Sequence, residues 1–170
     1  MNNRHWLALA VIVIWLVAST LAMYWFTFSD YGEFDPEQEW LGTPASLQLA
    51  QLGIAQSDVT EMHIVHVQQK DCSCNRYVNT HIEVLSAQPQ LNEIQQHRIT
   101  PEQVEQAGFR VPATPMALIF QGQELLYAGP YATGPFCAVD DSLISDVLKG
   151  TTRLAGGWLN GLVKSCRCLQ

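Results

Sequence analysis

From Trp6 to Phe28 the chain runs for 23 residues (WLALAVIVIWLVASTLAMYWFTF) without a charged side chain. A helix of about 20 apolar residues crosses the hydrocarbon core of a bilayer. The stretch therefore reads as a membrane helix or an export signal. Arg4 precedes it, whereas Asp30, Glu33, Asp35, Glu37 and Glu39 follow it and no Lys or Arg occurs before Lys70. Because positive charge is retained on the cytoplasmic side, residues 1–5 are expected in the cytoplasm. Residues 6–28 are then a single-pass signal anchor in the inner (cytoplasmic) membrane, with the C-terminal domain on the periplasmic, extracytoplasmic side. Trp6, Tyr24, Trp25 and Phe28 stand near its two ends, where aromatic rings favour the interface. A signal peptide cleaved near Thr20 and Ala22 is the alternative, although the apolar run continues through Met23–Phe26 and favours the uncleaved anchor. Both readings export the domain to an oxidising compartment, where cysteines pair or exchange.

Residues 29–40 (SDYGEFDPEQEW) carry five acids, one Gly and one Pro, and read as a solvated acidic linker. These acids account for most of the net charge of −7; residues 41–170 hold 8 Lys/Arg and 11 Asp/Glu, a net of −3. No basic surface is available for nucleic acid, so no nucleic-acid partner is expected. Residues 41–150 have the size of one small domain, followed by a cysteine-containing tail over 151–170 that is expected to pack on it through Leu154, Trp158, Leu159 and Val163.

Within the domain, helix and strand signals alternate. Thr43-Pro44 reads as a helix start running to about Ala55. Met62–Val67 (MHIVHV) reads as a strand, and Arg76–Ala87 as a helix with Val78, Ile82 and Leu85 on one face. A weak strand signal covers Leu91–Arg98. Thr100-Pro101-Glu102-Gln103 is a capping box opening a short helix that stops at Gly108. Met116–Phe120 and Glu124–Ala128 form a hairpin around Gln121-Gly122, and Asp140–Lys149 reads as a last helix. Such an order implies an α/β fold, a mixed β-sheet flanked by helices.

The five cysteines carry the chemistry. Asp71-Cys72-Ser73-Cys74-Asn75 falls where a strand gives way to a helix. Unpaired N–H groups at a helix start stabilise a thiolate, the form that attacks disulfides or binds metal. A second cysteine two positions on can resolve a mixed disulfide, so Cys72 is expected as nucleophile and Cys74 as resolver, with a reducible disulfide between them. Inert buried cysteines are the alternative.

Val111-Pro112-Ala113-Thr114-Pro115, followed by the apolar run to Phe120 and the turn at Gly122, completes a pattern that resembles the thioredoxin superfamily over about Asp58–Gly150. The resemblance implies a thioredoxin-like fold behind one transmembrane helix, with Pro115 as a cis-proline beside the cysteines and Thr114 offering backbone hydrogen bonds to a bound peptide. It departs from the family pattern at Asp71 and Asn75, where thioredoxins carry an aromatic residue and the second cysteine. The family's buried acid falls at His66, a possible proton shuttle or simply a core histidine.

At the other end stands Ser165-Cys166-Arg167-Cys168, with Lys164 and Arg167 placed to favour thiolates. Cys166 and Cys168 are either a second dithiol that relays electrons or part of a structural disulfide set, and Cys137 is the odd cysteine, buried or paired with the tail. Two functions of different class follow. The first is a membrane-anchored thiol–disulfide oxidoreductase without a cofactor, whose partners are the thiols and disulfides of exported proteins and a redox partner. The second is a metallochaperone in which Cys72, Cys74, Cys166 and Cys168 bind Cu(I) or Zn(II). A redox-inert binding module of the same fold is the third reading.

Overall fold

A computed structural model describes residues 3–55, 58–89, 93–142, 144–150, 152 and 156–170. Helix α1 (Asn3–Phe28) has no buried residue and is long and apolar enough to cross a membrane. Strand β1 (Tyr31–Glu33) follows, then a 3-10 turn at Leu49–Leu52, strand β2 (Met62–Val67), helix α2 (Asn75–Ser86), strand β3 (Gln95–Ile99) and helix α3 (Pro101–Gln106). Next come the two-residue strand β4 (Ala113–Thr114), the hairpin of β5 (Met116–Gln121) and β6 (Glu124–Gly129), a 3-10 turn at Val139–Asp141 and helix α4 (Ile144–Leu148). Three short strands close the chain: β7 (Trp158–Leu159), β8 (Lys164–Cys166) and β9 (Cys168–Leu169).

The main sheet has the order β3-β2-β5-β6-β7. The β2–β3 pair is parallel and joined across α2, the β2–β5 and β5–β6 pairs are antiparallel, and β7 adds parallel to β6. This is the α/β, thioredoxin-like arrangement, a mixed sheet flanked by helices. Alternation along the central strands divides the core into two layers. Ile64, Ala117, Ile119 and Tyr127 meet α2 and α4, with Val78, Ile82, Leu85, Ile144 and Val147. Val65, Val67, Leu118 and Phe120 face the other way, onto Val104 and Phe109 and onto Phe34 and Trp40.

Those last two side chains overturn the expectation of a solvated linker over residues 29–40. Phe34 is fully buried, Trp40 nearly so, and the indole N–H donates to the Arg110 carbonyl at 2.9 Å. The Asp35 carboxylate, buried itself, accepts from the N–H groups of Glu39 at 3.0 Å and Trp40 at 2.8 Å. Aromatic rings planted among acids anchor the segment, while the acids' charge suggested only solvation.

The helix expected from Thr43 shrinks to the turn at Leu49–Leu52, because tertiary partners take its backbone. Gln48 bridges Glu124, Leu49 N–H donates to Gln123 O at 3.4 Å, and Ala50 N–H donates to the Gln123 side chain at 2.9 Å. The weak strand signal at Leu91–Arg98 resolves as β3, an edge strand whose polar, exposed residues explain the weak signal; Leu91 itself, like Leu154 of the tail, lies outside the described residues. The last helix is interrupted, with its first residues in the 3-10 turn at Val139–Asp141. At Thr100 the capping box forms as expected, Thr100 and Gln103 each receiving the other's backbone N–H.

Candidate active site

Cys72 and Cys74 stand at the C-terminal end of β2, in the turn that leads into α2. Cys74 is the residue that caps α2, and its carbonyl accepts from Tyr77 and Val78 N–H. The Cys72 carbonyl accepts from Asn75 N–H at 3.2 Å, and the Asn75 side chain closes the turn on Gln69 O at 2.6 Å. Ser73, between the two cysteines, donates to the Asp30 carboxylate.

The second CxC arrives on an almost continuous extended segment. β8 pairs antiparallel with β1, Cys166 opposite Tyr31, and β9 pairs antiparallel with β4, Cys168 opposite Thr114. In extended backbone, residues two apart share a face, so Cys166 and Cys168 point together at the other pair. The side chain of Arg167, between them, lies across Gly32 and donates to the Glu33 carbonyl. Its backbone N–H donates to Asp30 O at 2.7 Å.

The outcome is two disulfides, Cys72–Cys168 and Cys74–Cys166, with Cα separations of 5.8 and 5.7 Å. The expected Cys72–Cys74 disulfide is replaced by this crossed arrangement, because both members of each CxC face the opposite pair at matching spacing. The tail cysteines, whose role as relay or staple was open, are the direct covalent partners of the junction cysteines. Cys137 is the free cysteine; it is buried in the same cluster as Cys72, Cys74 and Cys166. Burial pushes its thiol pKa up, against a hydrogen bond from the Cys166 backbone.

Thr114 and Pro115 complete the site. The peptide bond between them is cis. Thr114 is fully buried, and its carbonyl oxygen lies 3.6 Å from Cys72 Sγ, the distance at which a reduced Cys72 thiol would donate to it. The final residue, Gln170, covers this place: its side-chain amide donates to Thr114 Oγ1 at 3.2 Å and to Gln69 Oε1 at 3.0 Å, and its N–H to Pro112 O at 3.3 Å.

His66 is buried on β2, hydrogen-bonded to the Tyr131 hydroxyl and to Gln96 Oε1 at 3.2 Å. Burial pulls its pKa down to about 4. Its partners are thus Tyr131 and Gln96 rather than a cysteine sulfur. Nearer the cysteines stands His81 on α2, whose Nε2 is 2.6 Å from the Cys137 carbonyl oxygen; burial lowers its pKa as well. In the sequence His81 stands, with His63, His66 and His97, in no metal-ligand spacing, but its position three residues after Val78 sets it on the buried face of α2. Asp30, the partner of Ser73, carried no local signal, since its role depends on the fold of the linker.

The site and fold define a thioredoxin-like α/β domain whose strand–helix cysteines are bonded to its own C-terminus. The chain belongs to the family described as Domain of unknown function (DUF6436), whose pattern matches residues 38–170 and so takes in both CxC segments. Among solved structures it is similar to Trxlp from Edwardsiella tarda EIB202, at 17% identity and a TM-score of 0.41, over 55% of this chain and 84% of that one. A search of the curated proteins finds no match.

Proposed function

We propose that this protein performs thiol–disulfide exchange on exported proteins, held by α1 in the cytoplasmic membrane with its domain on the periplasmic side. The observation that carries the reading is the seat of the Cys72–Cys168 disulfide: one sulfur is in van der Waals range of the Thr114 carbonyl, and the other belongs to the residue paired with Thr114 on the neighbouring strand. A substrate thiolate attacking Cys72 Sγ forms a mixed disulfide and expels Cys168 as thiolate, which takes up a proton. A second substrate thiolate then attacks the substrate sulfur, releasing Cys72; the substrate gains a disulfide and the protein gains two thiols. The reverse sequence reduces a substrate disulfide. In this chemistry Cys168, rather than Cys74, is the resolving partner of Cys72.

The test is trapping. Cys168→Ser leaves Cys72 without that partner, so the reduced variant in detergent should accumulate a mixed disulfide with oxidised glutathione at Cys72, and Cys72→Ser should abolish it. A reduced, folded protein whose Cys72 does not react with iodoacetamide would sink the proposal. The side of the membrane is tested by protease access to the domain in spheroplasts: digestion from outside is expected, and protection until lysis would reverse the topology.

A second reading draws on one further observation. The sulfurs of Cys72, Cys74 and Cys168 all lie within 4.8 Å of one another, and Cys166 is bonded to Cys74. Once reduced, the four thiolates form a set suited to Zn(II) or Cu(I), for which metal–sulfur bonds of about 2.3 Å hold sulfurs at comparable separations. Anaerobic titration of the reduced protein with either ion should show tight one-to-one binding that both CxC pairs are needed for; weak binding indifferent to Cys→Ser changes would eliminate this reading.

A further inference from the structure

Strand β4 is only two residues long, and the last residues of the chain occupy its edge. Ala113 pairs with Leu169 and Thr114 with Cys168, and the Gln170 contacts to Pro112, Thr114 and Gln69 continue the seam. Such an edge takes up an extended peptide through main-chain hydrogen bonds. Here the peptide places its cysteine directly on Cys72. Resting on the exchange reading above, we propose that the chain's own Cys168–Gln170 is a redox-released occupant of this edge, holding Cys72 shut against an incoming peptide and leaving β4 only when both disulfides are reduced.

Two locks follow from the spacing. If Cys72–Cys168 opens alone, the Cys74–Cys166 bond still holds Cys168 two residues away. A dithiol attacking Cys72 leaves it in a mixed disulfide. The tethered Cys168 thiolate, at an effective concentration of at least about millimolar, then attacks Cys72 Sγ to restore the bond and expel the dithiol before a second thiol or a free peptide competes. Cys168 is half-exposed, whereas Cys74 is fully buried and Cys166 nearly so; the outer lock therefore opens first. β8 keeps its own pairing to β1 throughout, so the moving part is the segment beyond Cys166.

The cycle balances. Each lock is opened by a dithiol, which passes two electrons and two protons to the protein disulfide and becomes a disulfide itself. With β4 vacant, the Cys72 thiolate attacks a peptide disulfide; a Cys72–peptide bond forms and the other peptide sulfur leaves as a thiolate that takes up a proton. Cys168 then attacks Cys72 Sγ, restoring the Cys72–Cys168 bond and expelling the peptide as a thiol. The returning tail thus resolves the complex and displaces the product from its strand.

Hydrogen exchange of the full-length protein in detergent, read by mass spectrometry over residues 111–116, tests this, since Pro112 and Pro115 leave few amides there besides those of β4. Full reduction by dithiothreitol should speed exchange in this segment by about tenfold or more. In reduced Cys168→Ser, which lacks the thiol that expels the peptide, a peptide of the sequence SSRCLQ added as its dimeric disulfide after removal of dithiothreitol should be captured at Cys72 and restore protection. The Cys74→Ser/Cys166→Ser variant should lose protection over 111–116 at dithiothreitol concentrations about tenfold below those wild type requires. Unchanged exchange over 111–116 on full reduction, or loss of protection by wild type and variant at the same dithiothreitol concentration, would overturn the proposal. Reduced Cys168→Ser separates the two failures: if it captures glutathione at Cys72 while 111–116 stays protected, only the strand proposal falls; if it captures nothing, the exchange reading falls with it.

Discussion

At the scale of single residues, burial decides which groups take part in chemistry. His66 has a folded pKa of about 4 against an ordinary value of 6.5, through desolvation of its cationic form. The unfolded chain therefore binds the proton that the folded chain refuses. The stability is fully present above about pH 6.5 and is lost as pH falls towards 4, by at most about 1.4 kcal/mol per pH unit for one proton. The denaturation midpoint of wild type should drop over this window, and His66→Asn should drop less steeply; equal slopes would show that His66 is already protonated in the fold. His81 is shifted in the same direction, so the variant removes only part of the slope. Cys137 behaves as a buried neutral thiol. Iodoacetamide at pH 7.5 should leave it unlabelled in the folded oxidised protein and label it after unfolding, whereas prompt labelling of the native state would contradict its burial.

At the scale of elements, the two disulfides are coupled because one lies inside the loop of the other. Cys72–Cys168 spans 96 residues and Cys74–Cys166 spans 92. Either bond alone restricts the unfolded chain by about 4.7 kcal/mol in the loop-entropy account, but with one in place the other closes a ring of only about six residues, adding about 2 kcal/mol. Removing one pair by Cys→Ser should thus cost about 2 kcal/mol and removing both about 7 kcal/mol, measured by urea denaturation; equal, additive costs would mean that the two bonds do not share a loop. The acidic segment belongs to the fold by the same kind of test. Trp40→Ala should destabilise the domain by about 3–5 kcal/mol, as expected for a buried aromatic, and a loss under about 0.5 kcal/mol, typical of surface substitutions, would return the segment to the status of a spacer. Elements with a local signature were legible in the sequence: the capping box at Thr100, the β-branched run of β2, and the apolar strand and glycine turn of the hairpin. Elements whose structure depends on distant partners were not. Nothing in residues 43–55 announces that Gln123 and Glu124 will take their hydrogen bonds, and nothing in Tyr31–Glu33 announces a strand that awaits Lys164–Cys166.

At the scale of the whole molecule, the positions of the cysteines in the fold were legible in the sequence but their pairing was not. Cys72 and Cys74 at a strand–helix junction, and Thr114-Pro115 before a buried strand, are local patterns and are found where they were expected. Their partners lie more than 90 residues away, and the matching two-residue spacing of the CxC pairs permits local, crossed or mixed pairing alike. Packing of β8 on β1 and of β9 on β4 selects the crossed arrangement. The outcome is a mixed α/β domain in which β4 is paired with the segment that carries Cys168. Non-reducing proteolysis with mass spectrometry of the protein, isolated from cells after its free thiols are blocked, tests this covalent map directly. Cys72–Cys168 and Cys74–Cys166 linkages with Cys137 free are predicted, whereas Cys72–Cys74 and Cys166–Cys168 linkages within each CxC would contradict it.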